Sequence, residues 1–167
     1  MSGIKFNPNK SRYELSGEVK KIGGFLPATM IDDLVVLEQL YELGATQDID
    51  VACSDEITPI AAGTAKLTMH TPFNFILLSV FAGLTTPDVA GDDFIVDINK
   101  SGTSVLSTKI HIDPTEETSL TSSTQPVVST QSFLKGDKIT IDVDQIGDVL
   151  TPTATGLKVY MKVRRLW

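Results

Sequence analysis

The chain has little of what catalytic and metal sites are usually built from. Its 167 residues include one cysteine, Cys53, and two histidines, His70 and His111. A single cysteine excludes an internal disulfide, so stability must come from packing and assembly. No G-x-S-x-G turn, Gly-rich phosphate loop or H-E-x-x-H pair occurs, which removes the signatures of common hydrolase, nucleotide and zinc sites. Aromatic residues make up only 7%, and the one tryptophan, Trp167, stands at the C-terminal end. That scarcity argues against a sugar groove lined by clustered aromatics. No apolar run reaches the ~18–20 residues of a membrane span, and the first thirty residues lack the continuous apolar stretch of a secretory signal. A net charge of −7 argues against nucleic-acid binding by the main body.

What is present is unevenly distributed. Residues 1–28 carry Lys5, Lys10, Arg12, Lys20 and Lys21 against Glu14 and Glu18, a net of +3, so the remainder holds −10. Asn7-Pro8-Asn9, Gly17, Gly23-Gly24 and Pro27 break any long element there, and the segment reads as an extended, basic interaction arm. Residues 29–48 read as a helix and linker. Thr29 can cap the helix, Asp32 and Asp33 complement its dipole, and Gly44 suits its C-terminal end. Met30, Leu34, Leu37 and Tyr41 lie at helical spacing with Ile31 and Val35 beside them. Val36, Leu40 and Leu43 widen the stripe until it needs cover on more than one side. Lys5, Lys10, Arg12, Lys20, Lys21, Leu34, Leu37, Leu40 and Tyr41 are therefore the candidate interaction residues.

From Ile49 onward the pattern is β. Candidate strands are Ile49–Ser54, Thr64–His70, Asn74–Phe81, Asp93–Asn99, Thr103–Asp113, Pro126–Thr130, Lys138–Asp144 and Gly156–Arg165. Ile139, Ile141 and Val143 alternate with Thr140, Asp142 and Asp144, and Leu157, Val159, Met161 and Val163 with charged or polar neighbours. The apolar segment Phe75–Leu84 fits a strand buried on both faces. Asn99-Lys100-Ser101-Gly102 is turn chemistry. About eight short strands behind one helix predict a mainly β, antiparallel sandwich over residues 49–167. Alternation alone leaves a jelly roll and an immunoglobulin-like sandwich both open.

Chemistry is hard to place on this frame. His111 and Asp113 share a strand face at a spacing that a metal could use, but a solvent-facing pair is the simpler reading. Cys53 reads as a small buried residue. Asp142 and Asp144 are weak Ca²⁺ candidates through their oxygens. Their alternation with buried positions describes a solvated face, and no catalytic residue, cofactor or established metal site is expected.

The run from Phe94 to Ser119, "FIVDINKSGTSVLSTKIHIDPTEETS", followed by "PVVST", "KGDKITIDVDQIG" and "GLKVYMKV", resembles the small jelly-roll domain of tailed-bacteriophage virion structural proteins. The resemblance spans roughly Asp50 to Trp167. It implies an antiparallel jelly-roll β-sandwich and a non-enzymatic virion protein made in the host cytoplasm. The expected type is a capsid decoration, or cement, protein acting as a homotrimer on the major capsid protein or another virion protein. It implies neither nucleic-acid nor membrane binding. A neck, baseplate or tail-fibre component is the alternative within the same particle, and a host-surface carbohydrate- or receptor-binding module is the alternative of another class.

Overall fold

The structure, a computed structural model, describes residues 4–7, 12–15 and 46–166. The chain divides into two compact units, Met1–Leu43 and Gly44–Trp167. In the first, β1 (Ile4–Asn7) pairs antiparallel with β2 (Arg12–Leu15), Ile4 opposite Leu15 and Asn7 opposite Arg12. Part of the segment expected to be an extended arm is therefore a short hairpin. The breakers that exclude a long strand leave room for two of four residues each. The expected helix over residues 29–44 lies outside the described residues, and no helix occurs among those that are described.

The second unit is mainly β and antiparallel. Its strands are β3 (Thr46–Ala52), β4 (Gly63–His70), β5 (Phe75–Gly83), β6 (Phe94–Lys100), β7 (Thr103–Ser104), β8 (Leu106–Thr108), β9 (Ile110–Ile112), β10 (Val127–Val128), β11 (Ser132–Phe133), β12 (Lys138–Gln145) and β13 (Lys158–Arg165). One sheet runs β11-β5-β13-β3 and the other runs β4-β12-β6, with β7 and β9 both on the free edge of β6. β8 and β10 form a small separate ladder. The pairings are nested. Early β3 pairs with late β13, β4 with β12, β5 with β11 and β6 with β9.

Alternation places the core as the sequence predicts. Phe94, Val96, Ile98, Ile139, Ile141, Val143, Leu157, Val159, Met161 and Val163 are all buried, and both sheets feed one hydrophobic cluster. Burying a side chain of this size contributes about 1.5–3 kcal/mol, which compensates for the missing disulfide.

Three expectations need correction. β5 is not buried on both faces: Leu78 is 40% exposed and Ser79 is exposed as well. The cause is a bulge. Lys162 faces Ser79 and Val163 faces Leu77, so Leu78 is an extra residue. Phe75 and Leu77 point inward before it, Val80 and Ala82 after it. The expected strand Thr103–Asp113 is three short pieces, interrupted at Val105 and Lys109. The body also begins at Thr46, three residues before the expected Ile49.

Candidate functional site

Two ends of the body collect opposite chemistry. Strands β3, β5, β9 and β13 define the ends through their register, with Gly83 opposite Lys158 at one and Phe75 opposite Arg165 at the other. The first end, the apex, gathers the loops 53–62, 84–93, 113–126 and 146–157. These loops hold Asp55, Glu56, Asp88, Asp92, Asp93, Asp113, Glu116, Glu117 and Asp148, and no lysine or arginine. They also carry the exposed aliphatics Ile57, Val89, Leu120, Val149 and Leu150, each more than 60% exposed. The other end, the base, gathers 71–74, 100–103, 129–138 and 164–166. It holds Lys100, Lys135, Lys138, Arg164 and Arg165 against Asp137 alone. The chain enters β3 at this end, where Thr46 faces Arg164.

Asp88 organises the apex. It is 3% exposed, yet its carboxylate accepts hydrogen bonds from the backbone N–H groups of Gly147 (2.9 Å), Thr153 (2.8 Å) and Ala154 (3.0 Å). Its own carbonyl accepts from Thr115 N–H at 2.9 Å. One residue thereby ties three of the four loops together. The fourth joins through Gly156 N–H to the Asp55 carbonyl (2.9 Å) and Ile60 N–H to the Ala154 carbonyl (2.8 Å). Gly156 has φ +67, and a Cβ there would collide with Thr85 and Glu56. Asp55 accepts from Ile57 and Thr58 N–H, and these backbone bonds, Thr58's first, hold its carboxyl below its usual range. Hydroxyls do the same elsewhere, Thr151 for Asp148 and Ser122 for Asp113.

The Ca²⁺ candidates have other occupations. Asp142 is half-buried rather than solvated. It accepts from Ala65 N–H at 2.7 Å and from Asn99 Nδ2 at 3.1 Å. Ala65 has φ +50 at an irregularity in β4 where the ladder to β12 shifts, and the carboxylate caps that distortion. Asp144 is the extra residue of a bulge between β12 and β6 and binds Lys109. Lys109 also lies 3.4 Å from Asp97, which is 5% exposed. An ammonium thus sits where a cation would have to go, and its bond to Asp144 raises its pKa. Asp97 further accepts from Ser104 Oγ at 2.6 Å, so the polar face of β6 is covered rather than solvated.

The remaining candidates separate. His111 Nδ1 lies 2.9 Å from Asp93 Oδ2, while Asp113 accepts from Ser122 Oγ and Ser123 N–H, so the expected His111–Asp113 pair is two different pairs. Cys53 is half-buried just past β3, and burial pushes its thiol up to about 12. No group of three His, Cys, Asp or Glu side chains is placed to hold a metal among the described residues. Lys5 falls in β1 and Arg12 in β2. Lys10, Lys20, Lys21, Leu34, Leu37, Leu40 and Tyr41 lie outside the described residues.

Two groups that sequence reasoning missed stand out. Asp88 sits in Thr-Thr-Pro-Asp, which looks like any surface turn. Phe81 and Tyr160 are directly opposite on β5 and β13, with ring centroids 4.4 Å apart and planes within 9°. Their separation in the chain hides the pair. No protein-family model matches the chain, and no curated protein matches it.

Proposed function

We propose that this chain is a non-enzymatic structural protein of a bacteriophage virion, a capsid decoration protein that attaches through its N-terminal segment and the base of its body. The observation that carries the reading is the segregation of charge along the body. The end where the chain enters is basic, and so is the segment that precedes it. The opposite end is acidic, studded with aliphatics and cross-linked by Asp88. A protein that must grip a large acidic assembly with one end and face outward with the other needs this division.

The nested pairing supports a jelly roll. Taking β3, β4, β5, β6, β9, β11, β12 and β13 as strands one to eight, the pairs are one with eight, two with seven, three with six and four with five. Rolling up such a ribbon adds eight with three and seven with four, which are the pairs β13·β5 and β12·β6. An immunoglobulin-like sandwich has no such nesting. Assembly as a homotrimer through residues 30–43 belongs to the same proposal, because an apolar stripe all round a helix must be covered by neighbours.

Two measurements test it. A quantitative gel of purified particles should show the chain in hundreds of copies, and three to eighteen copies would move it to the neck, baseplate or tail. Lys135→Glu combined with Lys138→Glu should weaken particle binding by about tenfold or more at low salt, an effect that shrinks as salt screens it. Unaltered decoration by that variant would remove the base from the attachment surface.

A further inference from the structure

One side of the body is less well covered than the rest. β3 ends one sheet and β4 ends the other, and among the described residues neither has a strand on its outer side. The sheets run β3-β13-β5 and β4-β12-β6, and the connections 53–62 and 84–93 join β3 to β4 and β5 to β6. The two free edges therefore lie on the same side of the sandwich. Their inward side chains are placed for burial. Ile49 stands opposite Met161 and Val51 opposite Val159, while Leu67 stands opposite Ile141 and Met69 opposite Ile139. Those four neighbours are at most 1% exposed, yet Ile49, Val51, Leu67 and Met69 are only partly buried. The residues are alike, so the difference comes from the open edge beside them. Cys53 and Phe73, just beyond the two strands, extend the same half-covered strip.

The charges on the outward faces say what fits these edges. β3 exposes Asp48 and Asp50, whereas β4 exposes Thr64, Lys66, Thr68 and His70 and carries no carboxylate. Pairing β3 antiparallel with its own copy about Ile49 would set Asp48 opposite Asp50 at both ends of the ladder. Like charges directly opposite are destabilising, and edge charges of this kind block such pairing. Pairing β3 with β4 of a second copy has no such conflict. With Ile49 opposite Leu67 of the second copy, Gln47 meets Met69, Asp48 meets Thr68 and Asp50 meets Lys66. The inward residues of both strands then fall on one face, and the acid meets a base. Beyond Lys66 the irregularity at Ala65, with φ +50, ends the ladder.

We infer that this side is an interface between two copies of the chain, in which β3 of each copy pairs with β4 of the other. A two-fold axis parallel to the strands relates the copies. The four-stranded sheet of one then continues into the second sheet of the other, and the two apolar strips cover each other. β3 runs from base to apex and β4 runs back, so this axis pairs them antiparallel. It also leaves both bases facing the same way, and the contact can link neighbours that stand on one surface. The inference rests on the body alone and not on the virion reading.

The test is sedimentation of the full chain from about 1 to 100 µM at low salt. A dimer is expected or, where residues 30–43 also hold trimers, trimers that join further as concentration rises. A monomer or a trimer whose mass stays constant across that range overturns the inference, whether the strip is covered by another segment of the same chain or by solvent alone. Cross-linking checks the register. In a Cys53→Ser background, chains carrying Asp50→Cys and chains carrying Lys66→Cys should form a mixed disulfide when oxidised together, and neither should dimerise alone. Equal yields from either chain alone would overturn the β3–β4 pairing. Asp50→Lys should weaken association by about tenfold, and adding Lys66→Asp to it should restore wild-type association within about threefold. No recovery in the doubly substituted chain, with a native-like circular dichroism spectrum, would also overturn it.

Discussion

Apex and base are made from the same strands and both have loops bonded directly to one another, yet their acids sit in different surroundings. At the apex a buried carboxylate binds three backbone N–H groups from one neighbouring loop, and the loops bond directly to one another. At the base the comparable acid, Asp137, is partly exposed. It pairs with Lys100 at 2.7 Å and accepts from Leu134 N–H at 2.8 Å. The contrast teaches that exposed aliphatics and a firm backbone can coexist. Ile57, Val89 and Leu150 project from loops whose backbones are tied to one another by hydrogen bonds, so their exposure does not reflect a loose end. At the base Lys100 is held by Asp137, while Lys135 and Lys138 stand exposed to water.

Removing the two acids should separate the ends most sharply. Asp88→Ala leaves three backbone donors without their acceptor in a dry site, where each lost bond costs about 1–3 kcal/mol. The total should reach about 3 kcal/mol or more in urea unfolding. Asp137→Ala should cost about 1 kcal/mol, because its ion pair to Lys100 is partly exposed and water can replace it as the acceptor for the exposed Leu134 N–H. Equal losses would erase the distinction between a built apex and a solvated base.

A smaller difference is expected within β12. Asp142→Ala removes the acceptor that caps the left-handed Ala65 and should cost about 1–2 kcal/mol. Asp144→Ala breaks only an exposed contact to Lys109 and should cost about 0.5 kcal/mol. Matching effects in thermal melts would return both residues to a simple solvated face.

The mildest effect is expected from acid, which should loosen the apex more than the base because more carboxyls with lowered pKa stand there. Asp55, Asp113 and Asp148 at the apex, and Asp137 at the base through Lys100, all have carboxyl pKa values below normal. A folded-state pKa below the unfolded one favours the ionised, folded form. The stabilisation is therefore complete above the unfolded value of about 3.9 and is lost as pH falls through the lower folded values. Limited pepsin digestion in that range should cut within 84–93, 113–126 or 146–157 before it cuts within 129–138. First cuts near Leu134 would reverse the order.

Much of the fold was legible because strands write their burial into every second residue. β12 and β13 follow that rule almost without a break, so both their limits and their inward faces could be read. β5 could not be read that way. Its bulge at Leu78 swaps the inward face halfway along, and a run of apolar residues looks the same with or without the swap. The sites were harder. Asp142 looked solvated because alternation reports which face a residue occupies and says nothing of a distorted neighbour that needs an acceptor. The apex charges are scattered over a hundred residues, and only the topology gathers them. Phe81 and Tyr160 are ordinary outward positions until β5 and β13 pair.

The central place of β13 has a consequence for how the molecule is made. It lies between β3 and β5, and its register runs from Thr46 opposite Arg164 to Ala52 opposite Lys158. Until that strand has been synthesised, more than a hundred residues after β3, the four-stranded sheet has a gap at its middle. The inner faces of β3 and β5 must wait with their apolar side chains uncovered. Closure then depends on contacts between distant parts of the chain, which are slow to form. Folding of the body is thus confined to the time after β13 leaves the ribosome, and the preceding interval is when a nascent chain most needs shielding from its neighbours.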